Sequence, residues 1–293
     1  MTSEGSKITN TTRDSAAHHE SDGVAGNYGL QENGEMTAPR SPLVVGGVGG
    51  SGTRVYRQIC ELANHKMVTE SWFTRLRKLE SPPHDNVFLN RFFYGKWVDP
   101  YLNGELDEAG IASMTKDLRR WLFLTDPAYA NRKHWGWKNP RAIYLLPLVF
   151  EQFENTRFLQ VVRDGRDHAF HPKFPYRQHE LGLLTETERD LPDHLRKALM
   201  WSRTTELPRV RAGEWSDRIH VSRLEDLCSN PKQEIAKIYR WLMGAADPAM
   251  VDQAAAVVRT PSSLGRWHDE PTEKIAEVSD LIGDELTHFG YER

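Results

Sequence analysis

Short apolar runs alternate along the chain with segments whose apolar residues recur every three or four positions. The runs predict buried strands over residues 43–45, 157–162 and 218–221. The helical spacing predicts helices over residues 55–66, 114–124, 143–153, 195–210 and 231–243. We expect Pro208 to end or kink the fourth of these helices. Strands that alternate with helices predict an α/β fold with a mostly parallel central sheet flanked by helices.

Residues 1–40 contain almost no bulky apolar side chains and are rich in Ser, Thr, Gly, Asn and Glu. Such a segment buries too little apolar surface to offset the entropy of ordering. We therefore predict a disordered N-terminal tail over 1–40 and a single domain over 41–293. The whole chain has 39% hydrophobic and 27% charged residues, which is typical of a globular protein whose core needs no disulfide or metal.

Charge and hydropathy limit the partners and the cellular location that we expect for the protein. The formal net charge of −3 gives no electrostatic case for nucleic acid or an anionic membrane as a partner. No run of about 18 apolar residues is present, and the N-terminus lacks the apolar stretch of a signal peptide, so we expect a cytoplasmic protein. Cys60 and Cys228 are far apart and outside any CxxC spacing, which predicts neither a disulfide nor a metal site. The sequence does not indicate an oligomeric state.

A glycine-rich turn, GGVGGSGTR, lies between the first predicted strand and the first predicted helix. Such a turn gathers backbone N–H groups at a helix N-terminus, which makes an anion site. The spacing from Gly47 to Gly52 is that of a nucleoside triphosphate loop. However, Thr53 stands where that loop has Lys, and Arg54 stands where it has the magnesium ligand. The turn therefore retains a phosphate site but not the metal chemistry.

Two other interpretations of this turn stay open. One is a glycine-rich turn that binds no ligand. The other takes Gly47, Gly49 and Gly52 as a GxGxxG dinucleotide loop, with Glu70 as the acidic residue about 20 positions farther on.

Three further segments place charged residues next to predicted strands or loops: VVRDGRD from Val161, SRLEDL from Ser222 and SSLGRW from Ser262. Arg163 follows a predicted buried strand, and a cation at the carboxyl edge of a parallel strand points into the ligand crevice. The alternative for RDGRD is a surface turn whose charges pair with one another. We interpret SRLEDL as structural, with its charges forming ion pairs and capping the next turn.

In their order and rough spacing, these four segments resemble the sulfotransferase superfamily, nearest to the branch of tyrosylprotein sulfotransferases and bacterial relatives. The resemblance implies a sulfotransferase fold similar to that of the P-loop nucleoside triphosphatases. It also implies transfer of a sulfuryl group from 3′-phosphoadenosine 5′-phosphosulfate (PAPS) to an acceptor hydroxyl, which leaves 3′-phosphoadenosine 5′-phosphate (PAP) and requires no metal. A small-molecule, sugar or natural-product acceptor suits a cytoplasmic enzyme.

The same resemblance assigns the residues that bind the donor. The glycine-rich loop would hold the 5′-phosphosulfate through Gly49, Gly50, Ser51, Gly52, Thr53 and Arg54. Arg163 would hold the 3′-phosphate, with His171 at the position where the family has Ser. The candidates on the late loop that approaches the 3′-phosphate are Ser263, Gly265 and Arg266.

Catalysis departs from the family pattern. The family often has a Lys or Arg in the loop at the position of Gly50, and Lys138, at about the family's spacing before Arg163, is the candidate replacement. Pro140 stands where the cytosolic branch has its base His, so that mechanism does not carry over. The tyrosylprotein branch uses a Glu just beyond the first helix, which suggests Glu70 as the base. The alternatives for the base are Asp85 and His84.

Two rival functions stay open. A nucleotide-dependent kinase on the same architecture needs the loop Lys and the magnesium ligand, which residues 53 and 54 do not provide. A donor-binding module without catalysis would fit the loss of the loop cation at Gly50 and of the Ser at His171.

Overall fold

The computed structural model describes residues 42–67, 93–125, 134–173, 182–211 and 213–293. Five parallel strands form one sheet in the order β2–β3–β1–β4–β5. Their bounds are Pro42–Gly47 for β1, Lys66–Met67 for β2, Trp135–Lys138 for β3, Arg157–Val162 for β4 and Ile219–Arg223 for β5. The predicted α/β fold with a mostly parallel sheet is confirmed, whereas the predicted tail over 1–40 lies outside the described residues.

Helices flank both faces of the sheet. Their bounds are Thr53–Leu62 (α1), Gly95–Leu102 (α2), Glu108–Thr125 (α3), Leu146–Gln152 (α4), Gly165–Ala169 (α5), Glu186–Arg189 (α6), Asp193–Arg211 (α7), Leu224–Ser229 (α8), Pro231–Met243 (α9), Pro248–Ala255 (α10), Thr272–Leu281 (α11) and Gly283–His288 (α12). Short 3-10 segments span Pro140–Leu145, Gly213–Arg218 and Arg266–Asp269. Among the described residues, no helix is long and apolar enough to cross a membrane.

Of the two expectations for Pro208, that it would end or kink its helix, the first is wrong, because α7 continues to Arg211. A proline in a helix removes one backbone donor and leaves carbonyls of the preceding turn short of a partner. In the same turn, Gln160 Nε2 of the neighbouring strand donates to Thr205 O over 2.8 Å, next to the Thr204 carbonyl that loses its helical partner. A buried side chain on β4 thus supports the turn that the proline weakens.

Alternate residues of the strands pack against different helices, because successive side chains of a strand point to opposite faces. On one face, Leu43 and Val45 share a core with residues of α1, α9 and α10. On the other face, Val44 packs with α2, α3 and α4, and Val162 packs with α7, α11 and α12. The central strands β1 and β4 are therefore covered by helices on both faces, as their apolar runs require.

The helices that follow β1 and β4 lie on opposite faces of the sheet. Helix α1 packs on the face of Val45, whereas α7 packs on the face of Val162. Because β1 and β4 are neighbours, the loops that follow them lie side by side at the carboxyl edge of the sheet, where the chain changes from one face to the other. Ligands of open α/β sheets bind at such a switch point.

Candidate functional site

The glycine-rich loop begins tightly packed against the neighbouring strand. A Cβ on Gly47 would lie 2.2 Å from the backbone carbonyl oxygen of Val161, and the φ of Gly47 is +150°. At the other end of the loop, Gly52 has a φ of +88°, and its Cβ would lie 2.8 Å from Leu224. Glycine at these two positions therefore lets the loop pass close to β4 and turn into α1.

The loop presents backbone donors at the N-terminus of α1. Ser51 N donates to Val48 O over 3.1 Å, which closes the turn. Within the described part of the chain, the N–H groups of Gly50, Gly52 and Thr53 make no hydrogen bond. Unpaired N–H groups at the start of a ten-residue helix form an anion site. Gly49 is half-buried in the same loop, and Arg54 is exposed on the first turn of α1.

Arg163 connects the loop to two other parts of the chain. The residue is 5% exposed, and its guanidinium pairs with Asp167 over 2.8 Å. It also lies 3.4 Å from Gly50 O and donates to the backbone oxygen of Ser263. RDGRD is therefore not a surface turn. Its charges do pair with one another, as Arg166 with Asp164 shows, but they do so in a buried position against the glycine-rich loop.

Asp167 organises the late loop that contains SSLGRW. Its Oδ2 accepts from Gly265 N over 2.9 Å, and its Oδ1 accepts from Trp267 N over 3.3 Å. The same carboxylate pairs with Arg163. Asp167 therefore places Ser263, Gly265 and Arg266 beside the turn after β4. The sequence analysis did not assign Asp167, although its position four residues after Arg163 on a short helical turn was a usable signal.

Cationic groups crowd around this point. Burial and the nearby Arg163 lower the pKa of Arg266. Burial, with Arg266, Lys197 and Arg163, likewise lowers the pKa of His171. The backbone of Lys173 occupies His171 Nδ1 at 2.8 to 3.0 Å. A bound anion would relieve this mutual repulsion, because it favours the charged form of each group.

His168 is a site residue that sequence reasoning missed. The residue is 2% exposed, and its Nε2 lies 3.2 Å from Ser51 Oγ in the glycine-rich loop. Burial, followed by Arg163, His171 and Arg266, holds the pKa of His168 well below its usual value, so the imidazole is neutral. The contact joins residues 117 positions apart, and no local pattern indicates it. Within the described residues, no cluster of His, Cys, Asp and Glu could hold a metal ion.

Lys138 stands at the carboxyl end of β3, next to the loop strand. It is 3% exposed and pairs in register with Val45 of β1. Side chains paired in this way share a face of the sheet, and Val45 faces α1. Lys138 therefore lies on the same side as the helix whose N-terminus carries the anion site. The base candidates Glu70, His84 and Asp85 lie outside the described residues.

The charged residues of SRLEDL form ion pairs and hydrogen bonds beside the candidate site. Glu225 accepts from Asp164 N over 3.0 Å and from Tyr291 Oη over 2.8 Å. Arg223 pairs with Asp226 and donates to the backbone near the C-terminus. The segment therefore ties the turn after β4 to the last residues of the chain, in line with its structural interpretation.

Comparisons with known proteins give the fold class and the family of the chain. The fold is similar to that of sulfotransferase STF9 from Mycobacterium avium, with a TM-score of 0.54 and 14% identity over 87% of this chain and 78% of that chain. It is also similar to the sulfotransferase domain of the Synechococcus PCC 7002 olefin synthase, with a TM-score of 0.51 and 13% identity over 88% and 97%. A comparison with curated proteins finds no match. The model of the sulfotransferase family matches residues 42–247, which is most of the chain, so this protein belongs to the sulfotransferase family.

Proposed function

We propose that this sulfotransferase uses PAPS as its donor and transfers the sulfuryl group to a hydroxyl of a small-molecule, sugar or natural-product acceptor. The observation that carries the proposal is a pair of neighbouring groups of hydrogen-bond donors and cations, each suited to an anion. One is the loop from Gly49 to Thr53 at the N-terminus of α1, and the other surrounds Arg163 and Arg266. PAPS carries two separate anionic groups, a 5′-phosphosulfate and a 3′-phosphate, and so matches two sites. A nucleoside triphosphate has a single polyphosphate chain.

The loop residues suit the 5′-phosphosulfate. Gly49, Gly50, Ser51, Gly52 and Thr53 surround the N-terminus of α1, where backbone donors and the helix dipole favour an anion. Arg54, exposed on the first turn of α1, is a further cation for the same group. Lys and a magnesium ligand are absent at residues 53 and 54, so the loop binds by fixed donors and needs no metal.

The second site suits the 3′-phosphate. The guanidinium of Arg163 is held in place by Asp167 and by the backbone of Ser263, so little side-chain entropy is lost when it binds a phosphate. Arg266 and Gly265 reach the same region through the contact of Asp167 with the late loop. His171 adds a donor through Nε2, since Lys173 occupies its Nδ1.

Sulfuryl transfer needs a cation at the sulfuryl oxygens and a base for the acceptor hydroxyl. Lys138 is our candidate for the cation, because it lies buried at the carboxyl end of β3, on the face of the sheet that α1 covers. The hydroxyl oxygen forms a bond to sulfur, the bond from sulfur to the 5′-phosphate oxygen breaks, and the hydroxyl proton passes to the base. For this base we propose Glu70, with Asp85 and His84 as alternatives.

A turnover assay tests this function. Purified protein is incubated with PAPS and a panel of hydroxyl compounds, and PAP is measured by chromatography; magnesium-ATP is tested in parallel with the same panel. We expect acceptor-dependent PAP formation that magnesium chelation does not abolish and that Lys138→Ala lowers by at least about tenfold. Phosphorylated products with ATP would instead support a kinase. PAP binding without turnover on any acceptor would support a donor-binding module.

A further inference from the structure

The loop position that carries Lys or Arg in the resemblance described above is Gly50, which has no side chain. Its φ is +95°, and a Cβ built there would lie 3.6 Å from Cε1 of His168. The imidazole of His168 therefore lies in the direction that a side chain of residue 50 would take. His168 belongs to helix α5, which follows β4, and β4 is the neighbour of the strand β1 that leads into the loop.

His168 has one occupied nitrogen and one without a partner. Nε2 lies 3.2 Å from Ser51 Oγ, and Ser51 is fully buried. Nδ1 is buried and has no hydrogen-bond partner among the described residues. A buried polar atom without a partner is unusual, and each one needs an explanation.

The hydrogen arrangement of this pair follows from the cost of each alternative. If Nδ1 carried the hydrogen, a buried N–H donor would have no acceptor, which is the rarer and costlier case. If Nε2 carries it, Nε2–H donates to Ser51 Oγ and Nδ1 is only an acceptor without a donor. The Ser51 hydroxyl hydrogen is then left for another acceptor. An anion in the loop is such an acceptor.

We propose that His168, whose ring lies in the space that a side chain of residue 50 would take, is a positioning residue that holds the Ser51 hydroxyl so that this hydroxyl donates to the anion in the loop. The proposal rests on the proposed function only for the identity of that anion, which is the 5′-phosphosulfate of the donor. A hydrogen-bonded chain from imidazole to hydroxyl to anion polarises each of its members, which strengthens the contact with the anion.

A double-mutant cycle tests the proposal with two probes, PAP and inorganic pyrophosphate, titrated by calorimetry. His168→Phe retains an aromatic ring and removes the hydrogen bond, His168→Gln places an amide N–H near the position of Nε2–H, and Ser51→Ala removes the hydroxyl. His65→Phe is the matched control, because His65 is also a buried histidine but lies away from the loop.

We expect His168→Phe and Ser51→Ala each to weaken binding of both probes by about tenfold to a hundredfold, the loss of one hydrogen bond to a charged group. The double variant should bind no more weakly than the weaker single variant, because both changes break one chain of contacts. His168→Gln should recover most of the affinity. His65→Phe should lower stability alone. If His168→Phe does not fold, the affinities of Ser51→Ala and His168→Gln are compared with that of the wild type, and only the first should be weaker.

Unchanged affinity in His168→Phe, or additive losses in the double variant, would overturn the proposal. Gln failing to restore binding in a folded protein would overturn it as well. A wild-type protein that binds pyrophosphate but not PAP would contradict the donor assignment and leave the test of His168 intact. A wild-type protein that binds neither would contradict both.

Discussion

The two halves of the candidate donor site meet at one edge of the sheet, but they are built differently. The loop after β1 offers backbone N–H groups, and glycines fix its path against Val161 and Leu224. The turn after β4 and the late loop offer side-chain cations that Asp167 holds together. The first half depends on backbone geometry, so it tolerates little change of shape. The second half depends on charge balance, so it responds to charge and pH.

The backbone half should respond most strongly to an added methyl group. In Gly47→Ala, the Cβ would meet the carbonyl oxygen of Val161 at 2.2 Å, and backbone atoms of a central strand cannot move aside cheaply. We expect a loss of unfolding free energy of about 3 kcal/mol or more, measured by urea denaturation.

Gly104→Ala is the matched control for this change. Gly104 has a φ of +69°, but nothing lies within 4 Å of its Cβ position. The cost there should be about 1 kcal/mol, from the backbone conformation alone. Equal losses at the two positions would show that the close approach to β4 does not matter.

The charged half should lose binding when its central cation is removed. Arg163→Ala takes away the guanidinium and leaves the buried Asp167 carboxylate without its partner. We expect PAP binding to weaken by about a hundredfold or more, together with a stability loss of about 3 kcal/mol. Arg119→Ala, at an exposed position on α3, is the control and should change neither quantity. A folded Arg163→Ala protein with wild-type affinity would show that the 3′-phosphate is not bound here.

Removing the carboxylate should have a smaller effect, because two consequences oppose each other. Asp167→Ala frees the late loop and Arg163 from their common anchor, which weakens PAP binding. It also raises the net positive charge of the site, which strengthens binding of an anion. We expect the loss of positioning to dominate and calorimetry to show binding about tenfold weaker. The control is Asp117→Ala, which removes a carboxylate on α3 that pairs with the exposed Lys96 on α2. Tighter PAP binding in Asp167→Ala would show that the gain in positive charge outweighs the loss of positioning.

The smallest effect concerns pH. Burial and neighbouring cations lower the pKa of His171, so this imidazole is neutral at pH 7 in the free protein. A bound phosphate favours the imidazolium, so PAP affinity should rise as the pH falls from 7 toward 5.5, by about threefold to tenfold. His171→Asn should flatten this part of the profile. If His171→Asn keeps the full pH dependence of PAP affinity, another group is responsible for it.

The elements that the sequence predicted best have clear start or end signals in the sequence. Strand β4 and helix α9 have the predicted bounds, because charged residues border the apolar run of the first and Pro231 opens the second. The four-residue strand β3, WGWK, was not predicted, since two Trp and a Gly show neither period clearly. The last three helices were not predicted either, although Pro248 at the start of α10 was a usable signal.

The site shows the same division. Glycine spacing predicted the tight turn between β1 and α1, because local backbone geometry dictates those residues. The contacts of Asp167 with Gly265 and of His168 with Ser51 join residues 98 and 117 positions apart. Such contacts arise from the order of strands in the sheet, which no local pattern encodes. The placement of Lys138 likewise depends on β3 lying beside β1.

Calorimetric titration of PAP in the absence of magnesium, against ATP with magnesium, tests the account most directly. The account predicts micromolar binding of PAP that survives chelation of metals and is lost in Arg163→Ala, because the loop and the guanidinium together replace the metal. Binding of magnesium-ATP in preference to PAP, or binding of PAP only with magnesium, would contradict it.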